Sequence, residues 1–283
     1  MESARYSSLA LSETLLCPAC NRSLRFDGSS VRICCTGPAG STIEDGIVRY
    51  DPALSIDAST EIRARDRQAH GYLTHDKFPI QVFRIGNFVR RMAAEMCAFP
   101  VMDLGCGPGP TTEILVEAGF RTIAIDFSLE SLKINALNLR SATEVLFVQA
   151  DLRRIRFVNT CVAGLMMADF LQHLVSARVQ KEFLDQAFRA LVPGGWFFLS
   201  FFNVNVKNWF KGDVIGAFAN GAIPYRRLTP REVVGMLPAD VVVTEIIPMN
   251  ISHAVNYDRI LARLPFARLF ARMVIILGRK IQS

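Results

Sequence analysis

The chain has 283 residues, 51% of them apolar and 20% charged, with 32 basic against 26 acidic side chains. At roughly 150 residues per domain this is one large domain, or one domain plus a small module. The composition excludes a disordered chain, and a net charge of +6 permits an anionic partner without demanding one.

Nothing reads as a secretory leader, and no run of about 18 uncharged apolar residues is present to span a membrane. The odd count of seven cysteines argues against a disulfide framework and for a cytoplasmic protein with reduced thiols. The first expected unit is residues 1–55. Cys17-Pro-Ala-Cys20, then thirteen residues, then Cys34-Cys35, then Asp45-Gly46-Ile47 read as a small β-rich knuckle. Cys17, Cys20, Cys34 and Cys35 are the candidate ligands for a tetrahedral zinc ion. The second half departs from a complete ribbon, because Cys34-Cys35-Thr-Gly-Pro lacks a second Cys-x-x-Cys. Residues 56–98 are helical in pattern, with Arg63, Arg65 and Arg67 in one stretch and apolar spacing at Phe83, Phe88, Met92 and Met96.

From residue 99 the pattern alternates between strand and helix. Strands are predicted over Val101–Leu104, Arg121–Asp126, Val145–Val148, Val162–Met167, Trp196–Phe202, Val241–Ile247 and Met273–Leu277. Between them lie a helix over Thr111–Ala118 closed by Gly119, and one capped by Ser128 that runs to about Leu139. A third covers Ala177–Leu191 and stops at Pro193-Gly194-Gly195. Thr229-Pro230-Arg231-Glu232 is a capping box that opens a helix to about Leu237. Residues 203–227 read as an irregular aromatic insertion. This alternation predicts an α/β fold with a doubly wound, mostly parallel sheet of seven strands. Ligands on such sheets bind at the carboxyl ends of the strands.

One such end carries Asp103-Leu-Gly105-Cys-Gly107-Pro-Gly109-Pro110, between a strand and a helix. Glycines let the backbone approach a ligand closely. The dinucleotide fingerprint fails in both registers, since Pro110 or Thr112 occupies its last place, and no P-loop Gly-Lys-Ser/Thr follows. Asp103 would repel a pyrophosphate and suits a cation such as an ammonium or sulfonium. Asp126, at the end of the second strand, can accept both hydroxyls of a ribose. Asp151, after the third, can accept from an adenine amine.

In this order and spacing, the 103–109 loop, Asp126, Gln149-Ala150-Asp151, residues 167–174 (MADFLQHL) and residues 191–195 (LVPGG) resemble the class I S-adenosylmethionine-dependent methyltransferases. The resemblance covers roughly residues 99–203 and runs more loosely to 280. It implies a Rossmann-like fold and S-adenosylmethionine as cofactor. Asp103, Gly105, Gly107 and Gly109 would cradle the methionine part, Asp126 with Phe127 the ribose, and Asp151 with Leu152 the adenine. Met167 and Ala168 would line the methyl-donor side, and Tyr72, between His70 and His75, would touch the cofactor from a closing helix. The N-terminal segment resembles zinc-ribbon-like modules found ahead of some methyltransferase domains.

The acceptor then enters under residues 203–238. Trp209, Phe210, Phe218 and Tyr225 suit a small apolar or aromatic molecule, of the kind found in specialised metabolism, and Arg226 and Arg227 could pair with an anionic group on it. His173 is the candidate base, and Asp169 a polar contact near the transferred methyl. A nucleic-acid partner is disfavoured because the basic residues are dispersed. Two other readings stay open: an RNA methyltransferase gripping its substrate with the cysteine module, and a non-methylating cyclase or scaffold. Arg259, Arg263, Arg268 and Arg272 punctuate an apolar stretch that reads as a helix plus the last strand, with peripheral membrane contact as the alternative. Oligomeric state leaves no signature in the sequence.

Overall fold

The computed structural model describes residues 11, 13–17, 22–26, 31–32, 42–50, 59–69, 71, 79–95, 98–142, 144–252 and 254–282. Its strands are β1 (Arg25–Phe26), β2 (Val31–Arg32), β3 (Thr42–Glu44), β4 (Ile47–Arg49), β5 (Val101–Leu104), β6 (Thr122–Asp126), β7 (Val145–Gln149), β8 (Val162–Met167), β9 (Leu191–Phe202), β10 (Ile215–Phe218), β11 (Ile223–Arg226), β12 (Val241–Met249) and β13 (Met273–Lys280). One sheet has the order β12-β13-β9-β8-β5-β6-β7-β4-β3. Pairing is parallel from β9 through β4, and β13 runs antiparallel to both of its neighbours. The central strands are covered on both faces, and every residue of β5, β6 and β8 is accordingly buried.

The sheet has nine strands among the described residues, not the seven expected. The seven are all present. The extra two are the hairpin β3–β4, whose second strand adds in parallel to the edge of β7, pairing Ile47 with Phe147 and Arg49 with Gln149. The residues read as the Asp45-Gly46-Ile47 end of a metal knuckle are the turn of this hairpin, with Asp45 at φ 53° and Gly46 at φ 78°. The N-terminal residues described pack into the main core. Leu11, Leu15, Cys17, Leu24 and Tyr50 belong to the same buried cluster as Phe157, Val162 and Leu165. Tyr50 Oη donates to Leu16 O at 2.5 Å.

Local chemistry explains the element ends. Ser128 Oγ accepts from Ser131 N (3.1 Å) and opens the helix Leu129–Asn138. Thr229 and Glu232 form the reciprocal capping box of the helix Pro230–Met236. The Pro-Gly-Gly segment stops the helix Ala177–Ala190 as anticipated, but β9 already begins at Leu191 and bulges between its pairings with Val162 and Gly164. Gly164 makes room for the Trp196 indole, which stacks edge-on against Phe88 and Phe120.

Residues 203–227 are regular rather than irregular: a helix Val206–Lys211, then the hairpin β10–β11. Its turn takes three consecutive left-handed residues, Ala219, Asn220 and Gly221. Asn205 caps the helix and Gly212 ends it at φ 64°, both short-range signals outweighed in the reading by the scattered aromatics.

Candidate active site

β5 lies between β6 and β8, so the chain leaves it in opposite directions on its two sides. That divergence opens a crevice at the carboxyl ends. There the structure has a cavity of about 490 Å³, within the range of small-molecule sites. Its walls come from the 105–110 loop, the ends of β6, β7, β8 and β9, the helices Ser59–Ala69 and Pro79–Ala93, and Phe218 of the hairpin.

The loop is pinned from behind. Gly105 N and Cys106 N both donate to Ile125 O (2.8 and 3.1 Å), and Gly109 N donates to Cys106 O (3.2 Å). Gly107 N donates to Asp126 Oδ2 (2.9 Å). These are the N–H groups a phosphate would need, and they are spent inside the protein. A Cβ on Gly107 would meet nothing within 4 Å, whereas one on Gly109 would collide with Asn135, and one on Gly105 would come within 2.8 Å of the Phe170 ring.

Asp126 lines the cavity. Its Oδ1 accepts from Ser128 N (2.8 Å) while Oδ2 accepts from Gly107 N. Burial raises its pKa, against the lowering effect of those two N–H donors. Each oxygen keeps a lone pair for a ligand hydroxyl. Asp151 also lines the cavity, but Arg153 chelates it: Nε donates at 2.8 and 2.9 Å and Nη2 at 2.6 Å. Sequence reasoning assigned that carboxylate to an adenine amine without seeing a partner two residues on. Phe127, Leu152 and Ala168 are on the cavity wall.

Asp103, Gly109 and Met167 do not line the cavity. Asp103 is 1% exposed and accepts from Thr112 Oγ1 (2.8 Å), which in turn accepts from Asn135 Nδ2 (2.9 Å). Burial lifts its pKa to about 7. It braces the loop from below instead of facing a cation. Met167 is fully buried in the core. Tyr72, His70, His75, Cys20, Cys34 and Cys35 lie outside the described residues. Cys17 is buried, and among the described residues no group of three or more His, Cys, Asp or Glu is placed to hold a metal.

On the far side stand His173 and Asp169. His173 Nδ1 lies 2.9 Å from Pro224 O. A carbonyl only accepts, so Nδ1 carries the proton and Nε2 is left as the acceptor. Burial pushes the imidazole pKa down to about 3, and the charge of Arg65 pushes the same way, so the ring is neutral at pH 7. Asp169 sits at φ 55°, a costly conformation for a residue with a side chain. Its Oδ1 accepts from Ser200 Oγ (2.5 Å), and burial raises its pKa to about 6 despite hydrogen bonds from Ser200 and Gln81.

Of the aromatics expected over the acceptor, only Phe218 lines the cavity; Tyr225 packs behind it at 4.7 Å, and Trp209 and Phe210 point into solvent. Phe202, at the end of β9, joins Phe218 on the wall. Arg226 and Arg227 are engaged by Glu232 (2.6 Å) and Asp213 (3.6 Å), and neither faces the cavity. Each has a carboxylate within reach on the same cap, which a linear reading of the Arg-Arg pair does not reveal.

The sequence reading missed Glu61, Arg65, Gln68 and Ala69, which line the cavity from one helix. Their i, i+4, i+7, i+8 spacing is the available signal. Two buried polar atoms on the wall have no partner among the described residues: Arg65 Nε and Gln172 Oε1. A donor and an acceptor left open together suit a zwitterionic amino-acid group, the methionine end of S-adenosylmethionine.

Residues 101–195 match the family described as "Methyltransferase domain". A ubiquinone biosynthesis O-methyltransferase of Idiomarina loihiensis is 29% identical over 174 residues, covering 56% of this chain and 68% of that protein. For most other curated relatives the match spans about half their length. Among solved structures, the 1,6-didemethyltoxoflavin-N1-methyltransferase of Burkholderia thailandensis, with S-adenosylhomocysteine bound, is 18% identical with a TM-score of 0.56, covering 83% of this chain and 95% of that one. The N-methyltransferase NodS of Bradyrhizobium japonicum, also with S-adenosylhomocysteine, is 13% identical with a TM-score of 0.56, covering 78% and 99%. These two share the fold. Residues 101–195 carry a methyltransferase domain, and the fold is that of these S-adenosylmethionine-dependent methyltransferases.

Proposed function

We propose that the chain methylates a hydroxyl on a small, largely apolar or aromatic acceptor. The observation that carries this is the acceptor wall, where Phe202, Phe218, Ile85 and Met273 stand with two proton-accepting groups, Asp169 and His173 Nε2. Bound S-adenosylmethionine supplies a methyl group on a cationic sulfur. The chain's task is then to align the acceptor, exclude water and take one proton.

The pKa values divide the work. A base is most effective with a pKa near the operating pH. Asp169, at about 6, is ionised at pH 7 and still basic enough to accept a proton, so it takes the proton. His173, at about 3, is a weak base and instead receives the acceptor's hydrogen bond at Nε2 to orient it. Gly107, Asp126, Arg65 and Gln172 hold the cofactor, with Phe127 and Leu152 along its nucleoside. The O-methyltransferases among the curated relatives support the choice of oxygen.

The test is product formation from S-adenosylmethionine with a panel of phenols and apolar amines. Asp169→Asn should lower kcat by about a hundredfold with KM little changed, in line with the usual worth of a general base. His173→Ala should raise KM more than it lowers kcat. Turnover of amines alone, with Asp169→Asn fully active, would sink the hydroxyl assignment. Cofactor binding without methylation of any acceptor would favour the cyclase or scaffold reading. One zinc per chain by elemental analysis would place the N-terminal thiols in a structural metal knuckle.

A further inference from the structure

Six large apolar side chains stand in solvent: Trp209 and Phe210 (69% and 76% exposed), Ile260, Phe266 (73%), Leu269 and Phe270 (63%). They come from two places in the chain, the helix Val206–Lys211 and the helical turns between Val255 and Phe270. The helices Val206–Lys211 and Ala267–Phe270 pack against each other, and Asn203, just ahead of the first, donates its Nδ2 to Arg268 O (2.8 Å) and Ala271 O (2.9 Å). Scattered exposed apolar residues are ordinary, but a contiguous aromatic face in water is not.

The charge on this face has one sign. Lys207, Lys211, Arg259, Arg263, Arg268 and Arg272 are all exposed, and none is ion-paired among the described residues, although Arg259 stacks on the Phe83 ring (5.1 Å). The single acid in these segments, Asp258, is 0% exposed and turned inward to Ile251 N and Arg84. Six like charges repel a second copy of the same face. They complement an anionic lipid surface, into which aromatic side chains insert and toward which each cation adds about 1 kcal/mol. Among the described residues no helix is long and apolar enough to cross a membrane, so the contact is peripheral.

We propose that this face docks the protein on anionic phospholipid bilayers, with Trp209, Phe210, Phe266 and Phe270 entering the headgroup boundary. The cavity then opens at the membrane. Phe202 and Met273 line it, and Arg272, next to Met273, is exposed on the docking face, its carbonyl held by Asn203 N (2.9 Å). An acceptor dissolved in the bilayer would reach the site without crossing water. Docking is separate from the acceptor's chemistry, because lipid binding needs no methyl transfer.

The experiment is co-sedimentation of the full chain with vesicles of phosphatidylcholine alone and of phosphatidylcholine with phosphatidylglycerol, at about 0.1 M salt. Binding should require phosphatidylglycerol and fall steeply as salt rises toward about 1 M. The double variants Phe266→Ser/Phe270→Ser and Arg263→Glu/Arg268→Glu should each weaken binding about tenfold or more. Calorimetric binding of S-adenosylmethionine should stay intact in both, which shows that they fold. Absence of binding to the anionic vesicles would overturn the proposal, as would binding that both variants leave unchanged. So would light scattering that shows a dimer dissociated by Phe266→Ser/Phe270→Ser, or tighter binding to RNA than to vesicles.

Discussion

Two glycines of one loop do different jobs. Gly107 and Gly109 both have positive φ, 55° and 108°. Gly107 faces open cavity, whereas Gly109 backs onto Asn135. Gly107→Ala should therefore cost only the left-handed strain, about 1–2 kcal/mol, while weakening S-adenosylmethionine about tenfold by calorimetry. Gly109→Ala adds a clash with a buried side chain and should lower the unfolding temperature more than Gly107→Ala does. Asp103 gives a pH test. Its folded pKa, about 7, is above the unfolded 3.8, so the fold favours the protonated form. The stability this confers is complete below pH 3.8 and is lost as pH rises through 7. Asp103→Asn should remove that slope and raise neutral-pH stability, by an amount on the order of 4 kcal/mol at most. Denaturant titrations at pH 4, 6 and 8 check it. Arg65→Ala should weaken the cofactor about tenfold with little change in stability, since it gives up one i,i+4 pair with Glu61 at 3.6 Å, worth about 0.2–0.5 kcal/mol.

At the scale of elements, the hairpin β10–β11 and the helix Pro230–Met236 form the cap that holds Phe218 over the acceptor. Arg226 at the hairpin's end pairs with Glu232, the same residue that closes the capping box with Thr229. Helix start and cap position therefore depend on one carboxylate. Thr229→Ala should cost about 1 kcal/mol, read by thermal unfolding. Glu232→Gln, which loses the ion pair as well, should additionally raise the acceptor's KM. The capping box, the Ser128 cap and the Gly119 stop were all legible in the sequence, because each acts within four residues. The hairpin was missed although Asn220-Gly221 is a hairpin turn signal, because its strands, Ile215–Phe218 and Ile223–Arg226, are four residues each and show no regular apolar–polar alternation.

For the whole molecule, the N-terminal residues described are part of one core with the sheet. Leu15 is fully buried and bridges Phe157. Leu15→Ala should cost about 2–5 kcal/mol and shift a single unfolding transition. A separate early transition, with the main one unmoved, would instead make residues 1–55 an independent module. The β3–β4 hairpin also covers the edge of β7, which would otherwise offer unpaired backbone.

By itself the sequence determined the seven core strands, the glycine loop and Asp126, and hence the cofactor class. Those signals are local: apolar runs bounded by glycines, and an acid at a strand end. Only the tertiary structure decided which of the candidates face the ligand. Asp103 and Asp126 both end a strand, yet Thr112 closes over one while the loop leaves the other open to the cavity. Arg226 and Arg227 found carboxylates on their own cap, and Arg65 came to the site from a helix read only as carrying a charged stretch. Partner choice depends on which side chains the fold brings within about 3 Å, and that distance has no period along the chain.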